Sequence, residues 1–116
     1  MSEFTIYHNP RCSKSRQTLA ILEEHGIAPD VELYMESPPS ARTLKTLLRK
    51  LGIGAAQLVR RGEADYKAAG LSRESSENDI IKAMTTFPKL IERPIVVRDE
   101  RAVLGRPPEN VLDLID

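Results

Sequence analysis

Cysteine is nearly absent: the 116 residues contain one, Cys12. A single cysteine excludes a disulfide within the chain and a cysteine-rich metal site, and it leaves an oxidised Cys12 with no partner thiol of its own. Net charge is lacking too, because 17 Lys and Arg balance 17 Asp and Glu. No general basic field for nucleic acid exists, and any cationic site must be local. There is no long apolar run and no signal peptide, so the chain reads as cytoplasmic and free of the membrane. Repeats, low-complexity tracts and linkers are missing as well. What is present is ordinary for a soluble globular protein, with 41% hydrophobic and 29% charged residues. The length suits one core and not two, so residues 1–116 are expected to form a single domain. No apolar stretch is left over once a core is assigned, which predicts a monomer.

The surroundings of the one cysteine are informative. Phe4-Thr5-Ile6-Tyr7 alternates like a strand, with Phe4 and Ile6 on one face, and Asn9-Pro10 breaks it. A helical pattern follows from about Ser13 to His25, with Leu19, Ile21 and Leu22 turned inward and Gly26 at its C-terminal stop. Cys12 therefore falls where a strand ends and a helix begins. The first amides of a helix have no partner within it and carry about half a positive charge between them. Ser13, Lys14 and Ser15 would aim such amides at the sulfur. Arg11, Lys14 and Arg16 add cations, and this is no environment for an inert buried thiol. Amides and cations favour the thiolate, which is the nucleophile, and the same amides can hold a small oxyanion. Cys12 is thus the candidate reactive residue, facing an anionic substrate.

Val31-Glu32-Leu33-Tyr34 is the next expected strand, which completes a βαβ unit with parallel strands. After the connector Ser37-Pro38-Pro39, Ser40 caps a helix at about 41–51 whose apolar face is Leu44, Leu47, Leu48 and Leu51. Residues 55–75 are harder to read, with a short helical turn over Ala55–Val59 that ends at Arg60-Arg61-Gly62. Ser76-Glu77-Asn78-Asp79 has capping-box spacing and opens a helix carrying Ile80, Ile81 and Met84, with Pro88 beyond its end. Pro94–Val97 and Ala102–Leu104 flank the polar turn Arg98–Arg101 as a hairpin. Pro107-Pro108 then opens a last short helix with Val111, Leu112, Leu114 and Ile115 on its apolar side.

This order, β-α-β followed by helices and then β-β-α, with a cysteine at the first strand–helix junction, is the thioredoxin arrangement. The expected fold is α/β and thioredoxin-like (glutaredoxin-like): a mixed four-stranded sheet with a helical segment inserted at about 40–90 on one face. That fold usually has a cis proline opening its third strand against the cysteine, and Pro94 occupies the place. A cis Arg93-Pro94 bond is expected.

The chain resembles the glutaredoxin-linked arsenate reductase family over Thr5 to Ile115. The resemblance lies in Ile6-Tyr7-His8-Asn9-Pro10 with Cys12, Ser15 and Arg16, in Leu33-Tyr34 with Pro38-Pro39, and in Leu58-Val59-Arg60. It continues through Pro88-Lys89-Leu90-Ile91, Arg93-Pro94-Ile95-Val96-Val97, and Arg106-Pro107 with Val111-Leu112. It implies a catalytic Cys12, a nearby His8, a supporting Ser15, and an oxyanion held by Arg60, Arg93 and Arg106. Arsenate carries about two negative charges near neutral pH, as a phosphate does. Guanidiniums stay charged and present forked donors to such groups. Arg61 rivals Arg60 for the third position. His8 would act on the thiolate by charge or hydrogen bond, or serve simply as a strand-end histidine with a backbone partner.

The implied mechanism has the Cys12 thiolate attack arsenic(V) while the arginines balance charge. Glutathione, as co-substrate, and then glutaredoxin complete the reduction to arsenite, with no bound cofactor and no metal. Arg11, Lys14 or Arg16 would attract glutathione carboxylates. Two departures stand out: Arg11 and Lys14 replace small residues usual beside the cysteine, and the chain stops directly after its last apolar helix, like the housekeeping members. Two other classes are compatible with the fold. Spx-type regulators bind RNA polymerase through the same fold, but they typically carry Cys-x-x-Cys where this chain has Ser15. A monothiol oxidoreductase acting on glutathione mixed disulfides would need Cys12 but not the arginines.

Overall fold

In the computed structural model, which describes residues 3–115, the alternating N-terminal run becomes strand β1 (Phe4–Tyr7), with Phe4 and Ile6 buried. β1 lies inside a four-stranded sheet of order β2-β1-β3-β4, where β2 is Asp30–Glu32, β3 Ile95–Arg98 and β4 Arg101–Leu104. β2 pairs with β1 in parallel, and β3 pairs antiparallel with both β1 and β4. The register sets Ile6 opposite Val31 on one side and Val96 on the other. The helix between the parallel strands, α1, spans Ser13–Glu24, and Gly26 at φ 74 ends it as expected. This is the mixed thioredoxin-like sheet anticipated from the element order.

Leu22 of α1, together with Ile6, Phe4 and Val96 of the sheet and Val111 and Leu114 from the C-terminal stretch, forms one buried cluster. Leu19 and Ile21 pack against its rim. The C-terminal stretch is a 3₁₀ helix over Pro108–Leu114. In a 3₁₀ helix, residues three apart eclipse one another. Pro108, Val111 and Leu114 therefore turn inward together, and Leu112, expected on the apolar side, is 42% exposed. β2 also differs from expectation. It ends at Glu32, and Leu33 and Tyr34 leave the ladder for a turn closed by the Glu36 and Ser37 amides on the Leu33 carbonyl. Tyr34 is fully buried there, whereas Val31 and Leu33 are exposed. The hairpin turn is tighter than expected: Arg98 and Arg101 are its last ladder pair, and Asp99 takes a positive φ of 55.

The Arg93-Pro94 bond is cis, as expected, and Arg106-Pro107 is cis as well. Between these two corners lies Gly105. Its amide donates to the Pro94 carbonyl at 2.9 Å, and buried Thr18 of α1 approaches its carbonyl at 3.4 Å. A Cβ on Gly105 would lie 2.7 Å from Pro94 Cγ and would press into Thr18 Oγ1. Gly105→Ala is therefore expected to destabilise the protein by about 1–3 kcal/mol, as overpacking does. Thermal denaturation followed by circular dichroism reads this, and an unchanged midpoint would contradict the tight packing.

The chain divides into two compact units, one of residues 3–37 with 93–115 and one of Pro38–Glu92. The second unit is helical, with α2 (Ala41–Leu51), α3 (Ala55–Leu58), α4 (Ala64–Ala68) and α5 (Glu77–Thr86), then a 3₁₀ turn over Pro88–Leu90. The Ser40 hydroxyl caps α2 by accepting from the Thr43 amide, and Leu44, Leu47 and Leu48 are buried. Ser76 caps α5 through the Asp79 amide. The carboxylate of Glu77 accepts from the Ala55 amide at 2.7 Å and so ties the start of α5 to that of α3. Val59 bridges Ile91, and the Arg60 amide donates to the Leu90 carbonyl at 2.7 Å. Among the described residues no helix is long and apolar enough to cross a membrane.

Candidate active site

Cys12 is the N-cap residue of α1, in extended backbone conformation. Its amide donates to the Asn9 carbonyl at 2.9 Å, and its carbonyl accepts from the Arg16 amide at 3.0 Å. The loop between β1 and α1 is tightened further by the Arg11 amide on Asn9 Oδ1 and by Arg16 Nη1 on the Pro10 carbonyl. This leaves the half-buried sulfur facing the first amides of the helix. Burial opposes ionisation of the thiol. The Ser15 amide, the Arg93 guanidinium and the Lys14 amide all favour the thiolate, and together they win, holding the thiol below its ordinary value.

His8 and Ser15 are both buried and hydrogen-bonded to each other through His8 Nδ1 and Ser15 Oγ. The same hydroxyl accepts from the Asn9 amide at 3.0 Å, and the His8 amide donates to the Glu32 carbonyl at 2.9 Å. Burial, and then the charge of Arg16, lower the pKa of His8. This disfavours the charged form of the ring, and the interaction the geometry shows for His8 is its hydrogen bond to Ser15. The Ser15 amide faces the sulfur and favours its thiolate without a formed capping hydrogen bond, while the Ser15 hydroxyl joins His8 to Asn9. Both residues brace the loop that presents the thiol.

Arg93 sits just before the cis Pro94 at the head of β3, which brings its guanidinium to the Cys12 sulfur. Arg106, two residues past the end of β4, donates from Nη1 to the Arg93 carbonyl at 3.0 Å. Two of the three expected oxyanion arginines are thus neighbours within the first unit. Arg60 belongs to the second unit, where Glu63 at 3.0 Å and Glu92 at 3.6 Å hold it half-buried. Arg61 is exposed and donates to the Ala56 carbonyl. Among the described residues no group of three or more His, Cys, Asp or Glu side chains could hold a metal.

The sequence pattern missed Tyr34. It reads there as a strand residue, yet its phenol is buried between Asn9 and Arg93, within the field of Cys12. No spacing signal marks it, because a buried tyrosine in a strand looks the same.

The ArsC family model matches residues 7–114. Among curated relatives, YfgD of Escherichia coli (strain K12), a protein of uncharacterised function, is 53% identical over 112 residues, 95% of this chain and 94% of that protein. An arsenate reductase of Neisseria meningitidis (serogroup A) is 45% identical over 113 residues, 96% of this chain and 97% of that one. Among solved structures, an arsenate reductase from Vibrio cholerae superposes with a TM-score of 0.93 at 48% identity, covering 97% of each chain. Likeness of this depth over nearly the whole length makes this chain a member of the ArsC family.

Proposed function

We propose that this protein is an arsenate reductase that draws its second thiol from glutathione and its release step from glutaredoxin. The observation that carries the proposal is the Cys12 thiol, lowered in pKa by two helix amides and the Arg93 guanidinium at the place where an oxyanion would meet it. The relatives named arsenate reductase support the same reading. Reduction of arsenic(V) to arsenic(III) takes two electrons, supplied as two thiols become one disulfide. The Cys12 thiolate forms a sulfur–arsenic bond and an arsenate oxygen leaves as water. Glutathione, the external second thiol, takes up the sulfur of Cys12 as a mixed disulfide while arsenic keeps the electron pair. Arsenite departs as that disulfide forms, and glutaredoxin then reduces the mixed disulfide and frees the Cys12 thiol.

Arg93 and Arg106 balance the oxyanion charge in this scheme. The place of Arg60 beside them rests on family resemblance. His8 and Ser15 position the nucleophile.

The test is arsenate-dependent oxidation of NADPH coupled through glutathione reductase, glutathione and glutaredoxin. Turnover that needs every component supports the proposal. Silence of the wild-type protein toward arsenate, with activity on glutathione mixed disulfides, would replace it with the monothiol oxidoreductase. Arg60→Ala in the same assay is expected to raise KM for arsenate about tenfold or more, since a lost charged contact removes binding. An unchanged KM would remove Arg60 from the site.

A further inference from the structure

Tyr34 spends burial on a hydroxyl that the core does not need. The side chain is 1% exposed, and its hydroxyl oxygen is buried without a direct hydrogen bond. Buried phenols usually find a partner, and a phenylalanine would fill the same space at no polar cost. The surroundings are specific: the guanidinium of Arg93, the side chain of Asn9 and the Cys12 sulfur all act on this phenol. Each of the three already belongs to the site. Asn9 shapes the loop through the Cys12 and Arg11 amides, and Arg93 faces the sulfur.

We propose that Tyr34 is a positioning residue for Arg93: its buried hydroxyl oxygen accepts from the guanidinium and keeps that fork turned toward Cys12 and the anion it attacks. This goes beyond the resemblance, which points to the arginines and the cysteine. Hydrogen bonds of a reaction site are often long or poorly aligned in the empty site and shorten as the reacting group binds, which accounts for a hydroxyl close to its partner but not directly bonded to it. Burial pushes the Tyr34 phenol above its ordinary value, so it stays protonated and offers its oxygen as an acceptor throughout the working range. The part of the proposal that concerns substrate rests on the oxyanion reading of the site. The part that concerns the thiol does not.

The experiment is a double-mutant cycle of Tyr34→Phe and Arg93→Ala, read first by the pH dependence of Cys12 alkylation with iodoacetamide. Tyr34→Phe is expected to move the alkylation profile to higher pH, because a loosened Arg93 supports the thiolate less. It is also expected to lower kcat/KM for arsenate about tenfold, the worth of one hydrogen bond to a charged group. In the Arg93→Ala background the same substitution should change neither. A profile for Tyr34→Phe that matches the wild type would overturn the proposal, as would an equal shift with and without Arg93. A purely structural role for the hydroxyl would show as a lowered melting temperature with an unmoved alkylation profile, which also overturns it. Alkylation needs no arsenate, so failure of this proposal is distinguishable from failure of the arsenate assignment.

Discussion

Cys12→Ser will show no arsenate-dependent turnover, a loss of at least about a thousandfold, while the protein folds as well as the wild type or better. The loss follows from chemistry: a serine hydroxyl is not ionised near neutral pH and cannot give up the electrons that a thiol gives up as a disulfide forms. The retained fold follows from position. Cys12 is the N-cap of α1 and makes no side-chain capping bond. Serine is among the preferred N-cap residues, and its oxygen can accept from the amides that face the sulfur.

The same substitution carries a pH signature. The folded thiol ionises below its ordinary value, so between that depressed value and the unfolded one the unfolded chain binds more protons. Stability therefore rises with pH through this window and falls as pH drops through the folded pKa. Cys12→Ser removes that slope. Melting temperatures across the window, beside the coupled assay, check both halves. Residual turnover by Cys12→Ser would overturn the nucleophile assignment, and an identical slope in the two proteins would overturn the lowered thiol.

Arg93→Ala will cost about 10²–10³ in kcat/KM, the usual scale for removing a preorganised charge donor from a reaction centre. Two losses combine. The guanidinium supports the thiolate, so its removal moves Cys12 alkylation to higher pH. In the proposed mechanism it also balances the charge of the attacked oxyanion, so activity is expected to stay low even at a pH where the variant thiol is fully ionised. Arg93→Lys separates the two: a point charge should restore part of the alkylation profile but little of the turnover, because it cannot present a planar fork. Alkylation and turnover measured across pH for all three proteins give the answer. If turnover recovers completely once the thiolate forms, Arg93 serves the thiol alone.

How much of this was legible in the sequence depended on which force placed each residue. Strand β1 and helix α1 were readable because local periodicity and Gly26 determine them, and the thiol's position followed. Pro94 was readable from the fold. Three features were not. Helix α4 buries none of its residues, so it leaves no apolar period to find. The last helix packs at a spacing of three, which an expectation of 3.6 misreads at Leu112. The division of labour within Ser15, amide to the sulfur and hydroxyl to His8, is a matter of side-chain direction that no one-dimensional pattern holds. Tyr34 belongs with this last group, since only the folded backbone turns it toward Arg93.

The sheet joins the two ends of the chain. Arg98 at the end of β3 reaches back to Glu3, 95 positions earlier, and β1 is flanked on one side by a strand that follows the whole helical unit. A chain grows from its N-terminus, and its early segments wait for partners not yet made. While the protein is being synthesised, Cys12 has its local amides and neighbours but not the Arg93 guanidinium to act on it. The guanidinium that completes its activation arrives after Pro38–Glu92 has been made, and β4 follows still later. A nascent or truncated chain therefore carries a comparatively quiet thiol, and full reactivity toward oxidants and electrophiles appears together with the finished sheet.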